Sequence, residues 1–189
     1  MIRLALAVLL LAACGVSERS AQPTAGAPEA SVAEQVEAVV ARYAGYTRER
    51  AEREGYKLDK FCLDATGFGL PASRGAMGFH ATNESLLRGP IDAMRPQAFM
   101  FDADGRVLGV EYEVLTDAVR SPPQLFGRTF AKLPKHPGVE HEHYALHLWF
   151  IENPAGRFDD FNPRVTCPQG SKPAGPGHTL PPSEHGEGH

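Results

Sequence analysis

The segment that most constrains this chain runs from 144 to 151 and carries a histidine at its centre. Successive side chains of a β-strand point to opposite faces, so residues of equal parity share a face. The segment predicts one strand whose first face carries Tyr144, Leu146, Leu148 and Phe150 and whose second carries Ala145, His147, Trp149 and Ile151. A histidine on a buried face costs free energy unless its ring nitrogens find partners. The partners of His147 therefore decide what this chain can do.

A β-hairpin is predicted upstream. Residues 97–102 and 106–115 flank Asp104-Gly105, a pair typical of tight hairpin turns. In the second arm Glu111 and Glu113 share one face. The apolar side chains predicted for the opposite face are Leu108, Val110, Tyr112 and Val114.

Residues 76–83 predict a further strand, with His80 on one side. The side chains predicted for its other side are Met77, Phe79 and Ala81. If the three strands are neighbours in one antiparallel sheet, side chains on adjacent strands lie about 5 Å apart. His80, Glu111 and His147 would then converge. Two imidazoles and a carboxylate are a common donor set for Zn, Fe, Cu or Ni, and three protein ligands leave one position open. A structural or solvent-exposed role for each residue is the alternative.

The other histidines are weaker candidates. His141 and His143 have the parity of His147 and could bind a metal, but at the mouth of the strand we expect both to be exposed. The remaining histidines lie in a tail rich in glycine and proline, where ordering a tight site would cost entropy. They are His178, His185 and His189.

The amino terminus predicts export. Residues 4–13 are apolar but fall short of the about 20 residues that a membrane-spanning helix needs. The ending Leu11-Ala12-Ala13-Cys14 resembles the bacterial lipobox, which implies loss of residues 1–13 and attachment of lipid to Cys14. An ordinary secretory signal with a chance cysteine is the alternative. Because Gly15 rather than aspartate follows, we expect that in a bacterium with an outer membrane the lipoprotein is attached there through this lipid and faces the periplasm.

Cysteine usage and charge fit the same compartment. An exported chain meets oxidising conditions, so a disulfide between Cys62 and Cys167 is predicted, with a reactive or metal-binding thiol pair as the alternative. Without Arg3 the mature chain has 18 basic side chains against 23 acidic ones, a formal charge of −5. Because basic patches with interleaved aromatics are lacking, nucleic acid is not an expected partner.

One folded unit is predicted over 31–167, between a flexible tether at 14–30 and a disordered tail at 168–189. Ser31 and Glu34 have the spacing of a capping box, and helical spacing of apolar residues continues to about Glu54. One amino-terminal helix followed by antiparallel strands predicts an α+β fold, with the helix packed on a mainly antiparallel sheet. Residues 125–130 predict a short edge strand.

Several motifs together resemble a family of uncharacterised exported bacterial proteins. They are Met77-Gly78-Phe79-His80, Gly109-Val110-Glu111-Tyr112, Leu146-His147-Leu148-Trp149, Asn153-Pro154-Ala155-Gly156-Arg157-Phe158, Asn162-Pro163 and Cys167. The resemblance covers about 60–167 and supports those domain boundaries, but it implies no reaction.

Two functional hypotheses follow. In the first, an envelope lipoprotein binds a transition metal through His80, Glu111 and His147, for metal handling or for a metal-assisted reaction. In the second, a metal-free module takes an apolar small molecule or an envelope protein on its sheet, with His147 bonded to Glu111 in a pocket lined by Trp149. A spacer without further activity is a third alternative. The sequence has none of the GxSxG, HExxH or CxxC motifs, and Asp159 and Asp160 are interpreted as turn residues.

Overall fold

The computed structural model describes residues 30–136 and 139–168. The predicted signal, the lipidated Cys14, the tether up to residue 29 and the tail histidines lie outside these residues. Within the described part, every helix is too short or too polar to cross a membrane.

The described chain forms two helices and eight strands. The helices are α1 (Val32–Tyr43) and α2 (Arg48–Arg53). The strands are β1 (Lys57–Asp64), β2 (Ala76–Thr82), β3 (Ala98–Phe101), β4 (Val107–Leu115), β5 (Gln124–Leu125), β6 (Arg128–Thr129), β7 (Ala131–Leu133) and β8 (His143–Trp149). Six of the strands make one antiparallel sheet in the order β1-β2-β3-β4-β8-β7. The α+β class predicted from the sequence is confirmed.

The prediction of a single helix over 31–54 is wrong. Its start is confirmed, because the Ser31 hydroxyl accepts from the Glu34 N–H and the Glu34 carboxylate accepts from the Ser31 N–H. The helix ends at Tyr43, however, and α2 starts anew with Thr47 as its cap, its hydroxyl accepting from the Arg50 N–H. Threonine favours such capping positions over helix interiors, since its hydroxyl competes for backbone groups.

The two faces of the sheet carry different cores. The larger core combines side chains of α1 with one sheet face, including Val36, Val39, Tyr43, Phe99, Val110, Tyr112, Leu146 and Leu148. The rings of Tyr43 and Phe99 meet edge to face, with centroids 5.0 Å apart. The smaller core lies on the opposite sheet face and includes Met77, Met100, Leu108, Trp149, Phe161 and Val165. His80, Glu111 and His147 lie on that second face, with Met100 and Trp149.

Two β-bulges change the predicted pattern of faces. The strand predicted over 144–151 is β8, which runs from His143 to Trp149, and its alternation is confirmed because Leu146 and Leu148 lie in one core and Trp149 in the other. In β2, however, Met77 and Ala81 lie in different cores, contrary to the prediction. Leu63 pairs with Gly78 and Asp64 with Ala76, so Met77 is an extra residue, and an extra residue reverses the facing of what precedes it.

Leu108 departs from the prediction for the same reason. Met100 pairs with Gly109 and Phe101 with Val107, which leaves Leu108 as an extra residue in β4 and moves it into the smaller core. At the first bulge Gly78 has φ +93°, and a Cβ there would lie 2.6 Å from the Phe101 carbonyl oxygen. Only glycine fits that position.

The rest of the described chain includes a separate β-ribbon and the disulfide. Residues 124–129 form a separate two-stranded ribbon of β5 and β6, so the prediction of an edge strand over 125–130 is wrong; β7 is the edge instead. The predicted disulfide between Cys62 and Cys167 is confirmed and joins β1 to the end of the described chain.

Candidate metal centre

The strand register brings Glu111 and His147 face to face. They are directly paired between the antiparallel strands β4 and β8. His80 comes from β2, which is separated from β4 by β3. The expectation that all three strands are neighbours therefore holds for β4 and β8 but not for β2 and β4. On β3, Glu111 is paired with Ala98, whose side chain is a single methyl group and leaves room for a longer side chain to pass. His80 therefore reaches Glu111 across the intervening strand.

The three predicted ligands converge in the protein interior. Nε2 of His80 lies 3.1 Å from Oε2 of Glu111, and Nε2 of His147 lies 3.3 Å from Oε1 of Glu111. One ligand atom from each residue can be chosen so that all three lie within 4.8 Å of one another. None of the three residues is more than 3 % exposed. These buried groups could hold a metal ion.

Several polar atoms at this meeting point have no hydrogen bond within the described chain. They are Nδ1 and Nε2 of His80, Oε2 of Glu111 and Nε2 of His147. Nearly all buried polar atoms in folded proteins do have a partner, and each exception costs about 1–3 kcal/mol. A cation bound between these atoms would satisfy the inward-facing ones together.

A carboxylate outside the sheet orients the ring of His147. Nδ1 of His147 lies 3.3 Å from Oδ1 of Asp160, and its N–H donates to that carboxylate. In the neutral ring the lone pair is then on Nε2, which faces Glu111. Metal-binding histidines usually have such an outer partner. The interpretation of Asp160 as a turn residue missed this contact, whereas Asp159 does close a turn by accepting from the Phe161 N–H.

Electrostatics favour charge separation between Glu111 and His147 when no metal is bound. Burial alone would raise the pKa of Glu111, but the imidazoles of His147 and His80 outweigh it and hold that pKa below its ordinary value. Burial likewise opposes protonation of His147, but the carboxylates of Glu111 and Asp160 raise its pKa to about 9. The site therefore attracts positive charge to the nitrogen that faces Glu111.

A second buried cluster adjoins the first, and sequence reasoning missed it. Ligand atoms of Glu113, His136 and His143 also lie within 4.8 Å of one another. The expectation that His143 is exposed is wrong, because β8 begins at this residue and the side chain is fully buried. His141 is exposed as expected and lies outside both clusters that the described residues form.

No family model, no curated protein and no solved structure matches this chain. The function proposed below therefore rests on the atoms of the chain itself.

Proposed function

We propose that this chain binds a divalent transition-metal ion through His80, Glu111 and His147. The strongest support is that buried donor atoms of all three residues face one another without hydrogen bonds. Ligand atoms that bind one tetrahedral zinc ion at about 2.0–2.1 Å are about 3.3 Å apart. The separations of 3.1 and 3.3 Å between the imidazole nitrogens and the Glu111 oxygens match that spacing.

The donor chemistry selects a class of metal. Imidazole nitrogen suits Zn, Cu, Fe and Ni, whereas Ca and Mg prefer sites made of oxygen alone. Three protein ligands leave a position for water or a small molecule, which serves either metal handling or a metal-assisted reaction. Because the ligands are buried within the sheet, we expect slow exchange of the ion with solvent.

We further propose that this binding takes place in the bacterial envelope. The lipobox-like sequence that ends at Cys14 supports a lipid anchor, and the disulfide suits an oxidising compartment. On this proposal the protein is attached to the outer membrane and faces the periplasm.

A metal-free binding module remains the second candidate function, and one observation favours it. Glu111 and His147 are close enough to form an ion pair if the imidazole is protonated. That pair leaves Nδ1 of His80 without a hydrogen bond in the described chain, while Nε2 of His80 lies 3.1 Å from the other oxygen of the same carboxylate. In addition, Trp149 is fully buried, and its indole N–H donates to the Asp159 carbonyl. A metal ion accounts for more of the observed contacts.

Elemental analysis of protein purified without a polyhistidine tag tests the proposal. We expect at least about one equivalent of bound transition metal, and a decrease of about one equivalent when His80 and His147 are both replaced by alanine. The matched control is His141→Ala, which removes an exposed imidazole just before the start of β8. This variant should retain the metal. A parallel chain with His178, His185 and His189 replaced by alanine removes any contribution of the tail. Metal content that stays the same in the double variant would end the proposal.

Asp160→Asn is expected to weaken metal binding about 10–100-fold, because outer partners set the orientation and basicity of a ligating imidazole. The amide keeps the size of the side chain but loses the negative charge next to Nδ1 of His147. Asp117→Asn is the control, since Asp117 is exposed and pairs only with Arg88 among the described contacts. Competition with a chelating dye measures both affinities. Equal affinities for the two variants would show that Asp160 does not support the site.

A further inference from the structure

We propose a second metal site beside the first, formed by Glu113, His136 and His143, so that one chain holds two divalent transition-metal ions. The second site shares no ligand with the first, so each site can be disproved independently of the other. The donor set is again two imidazoles and one carboxylate, and it selects the same class of metal.

The distances are those of a ligand cluster. Nε2 of His136 lies 3.2 Å from Nε2 of His143, and Nε2 of His143 lies 3.9 Å from Oε1 of Glu113. All three side chains are buried, with His136 the most accessible at 7 %. The two imidazole nitrogens are thus separated by about the distance expected between two ligands of one tetrahedral ion.

The chain holds these groups in a binding orientation. Nδ1 of His143 lies 2.9 Å from the carbonyl oxygen of His141, which can only accept, so the proton is on Nδ1. The lone pair of the neutral ring is then on Nε2 and faces the cluster, as it is for His147 in the first site. The backbone N–H of Glu113 donates to Oε1 of the buried Gln97, which fixes β4 at this point. Contacts of this kind hold the ligands of a metal site in position.

A buried carboxylate oxygen points to a cation here as well. Oε2 of Glu113 has no hydrogen bond within the described chain, although the residue is only 1 % exposed. A carboxylate buried in this way is costly unless a positive charge or a donor meets it. An ion held by Glu113 and the two imidazoles supplies that charge.

The two clusters share one buried region. Glu111 and Glu113 are two residues apart on β4, point to the same face of the sheet and interact through their side chains. Asp59 on β1 acts electrostatically on Glu113 and is itself influenced by His80, and its Oδ2 is also buried without a hydrogen bond. Carboxylates this close repel one another when ionised. One cation on each side of the Glu111–Glu113 pair would relieve this repulsion.

A direct hydrogen bond is the simplest competing explanation. In that case Nε2–H of His136 donates to Nε2 of His143, and Glu113 stays protonated without any metal. This arrangement predicts no second ion, so counting bound metal decides between the two.

Titration with Zn(II) alone, followed by calorimetry and by equilibrium dialysis, tests the inference. The background is the full chain with the three tail histidines replaced by alanine. The first test variant carries His80→Gln and His147→Gln, and the second carries Glu113→Gln and His136→Gln. Glutamine keeps a polar side chain in each position and limits loss of packing. His141→Gln combined with Glu142→Gln is the matched control, because both residues are exposed neighbours of the sites.

We expect two equivalents of zinc in the background and the control, and one in each test variant. Circular dichroism and thermal unfolding of the metal-free proteins establish that each variant is folded. If the first test variant is unfolded it is replaced by His147→Gln alone, and if the second is unfolded it is replaced by Glu113→Gln alone. Co(II) in place of zinc provides a second readout, since its visible absorption reports each bound ion, and we expect each test variant to lose about half of that absorption.

Each other outcome has a defined meaning. One equivalent in the background that only the His80 and His147 changes remove would overturn the second site and leave the first. One equivalent that only the Glu113 and His136 changes remove would overturn the first site and leave the second. One equivalent that either variant loses would indicate a single ion shared by both clusters and would also overturn this inference. No bound zinc in the background would overturn both sites.

Discussion

Glu111→Gln is expected to lower metal affinity at the first site by more than about 100-fold, beyond the range seen when only an outer partner is lost. Glu111 supplies both oxygens that face the two imidazoles, at 3.1 and 3.3 Å. The amide that replaces it has one weaker oxygen donor and no charge. The measurement is a Zn(II) titration in a chain whose second site is removed by Glu113→Gln and His136→Gln, so that only one ion is counted.

Thermal and denaturant unfolding provide an independent readout of the same change. A ligand present at 100 times its dissociation constant stabilises the folded state by about 2.7 kcal/mol. We expect that shift before the Glu111 change and less than about 0.4 kcal/mol after it at the same zinc concentration. Glu142→Gln is the control, because Glu142 is exposed and bonds to Lys132 and Thr116. A full zinc-induced shift in Glu111→Gln would contradict the assignment.

The metal-free alternative predicts a different pattern for the same variant. Breaking a buried ion pair by removing one partner costs about 3–5 kcal/mol. If Glu111 and His147 act only as a pair, Glu111→Gln lowers the free energy of unfolding by that amount and zinc has no effect before or after the change. The two functions are therefore separated by the response to zinc.

Loss of the disulfide is expected to lower the free energy of unfolding by about 2–5 kcal/mol. Cys62 and Cys167 are 105 residues apart, and the bond between them restricts a long loop in the unfolded chain. It also ties β1 to the segment that contributes Phe161 and Val165 to the smaller core. Urea unfolding of the double variant Cys62→Ser with Cys167→Ser gives the size of the effect.

The reductant dithiothreitol supplies the control for this prediction. It should destabilise the wild-type chain to the level of the double variant and leave the double variant unchanged. If the double variant unfolds at the wild-type urea concentration, the disulfide does not stabilise the fold.

The sequence predicted the members of the first site through the two-residue period of its strands. Glu111 and His147 interrupt apolar alternation on strands that turned out to be paired directly. His80 was predicted on the same reasoning, although a strand separates it from Glu111. The contact between them spans β3, on which His80 is paired with Met100 and Glu111 with Ala98, and no local pattern in the sequence reveals which residues will lie between two others.

What the sequence did not show depends on contacts outside regular strands. His143 has the right parity, but its burial depends on where β8 begins, and strand ends are poorly fixed by periodicity. His136 lies in an isolated bridge with Val139, where no period applies. Asp160 looked like part of a turn because its neighbours form one. The two bulges that place Met77 and Leu108 in the smaller core are shifts in strand register. Such a shift depends on the partner strand and cannot be recognised from the bulged segment alone.

The loop that contains Asp159 and Asp160 is hydrogen-bonded to β8 and to Arg74. The backbone of Asp159 holds the Trp149 indole, its side chain holds Arg74, and the next residue holds His147. Phe161, which follows Asp160 directly, is fully buried in the smaller core, so the loop cannot open without unpacking that core. If an ion is bound as proposed, its release would require this local loosening of the core, whereas the pairing of the strands would not need to change.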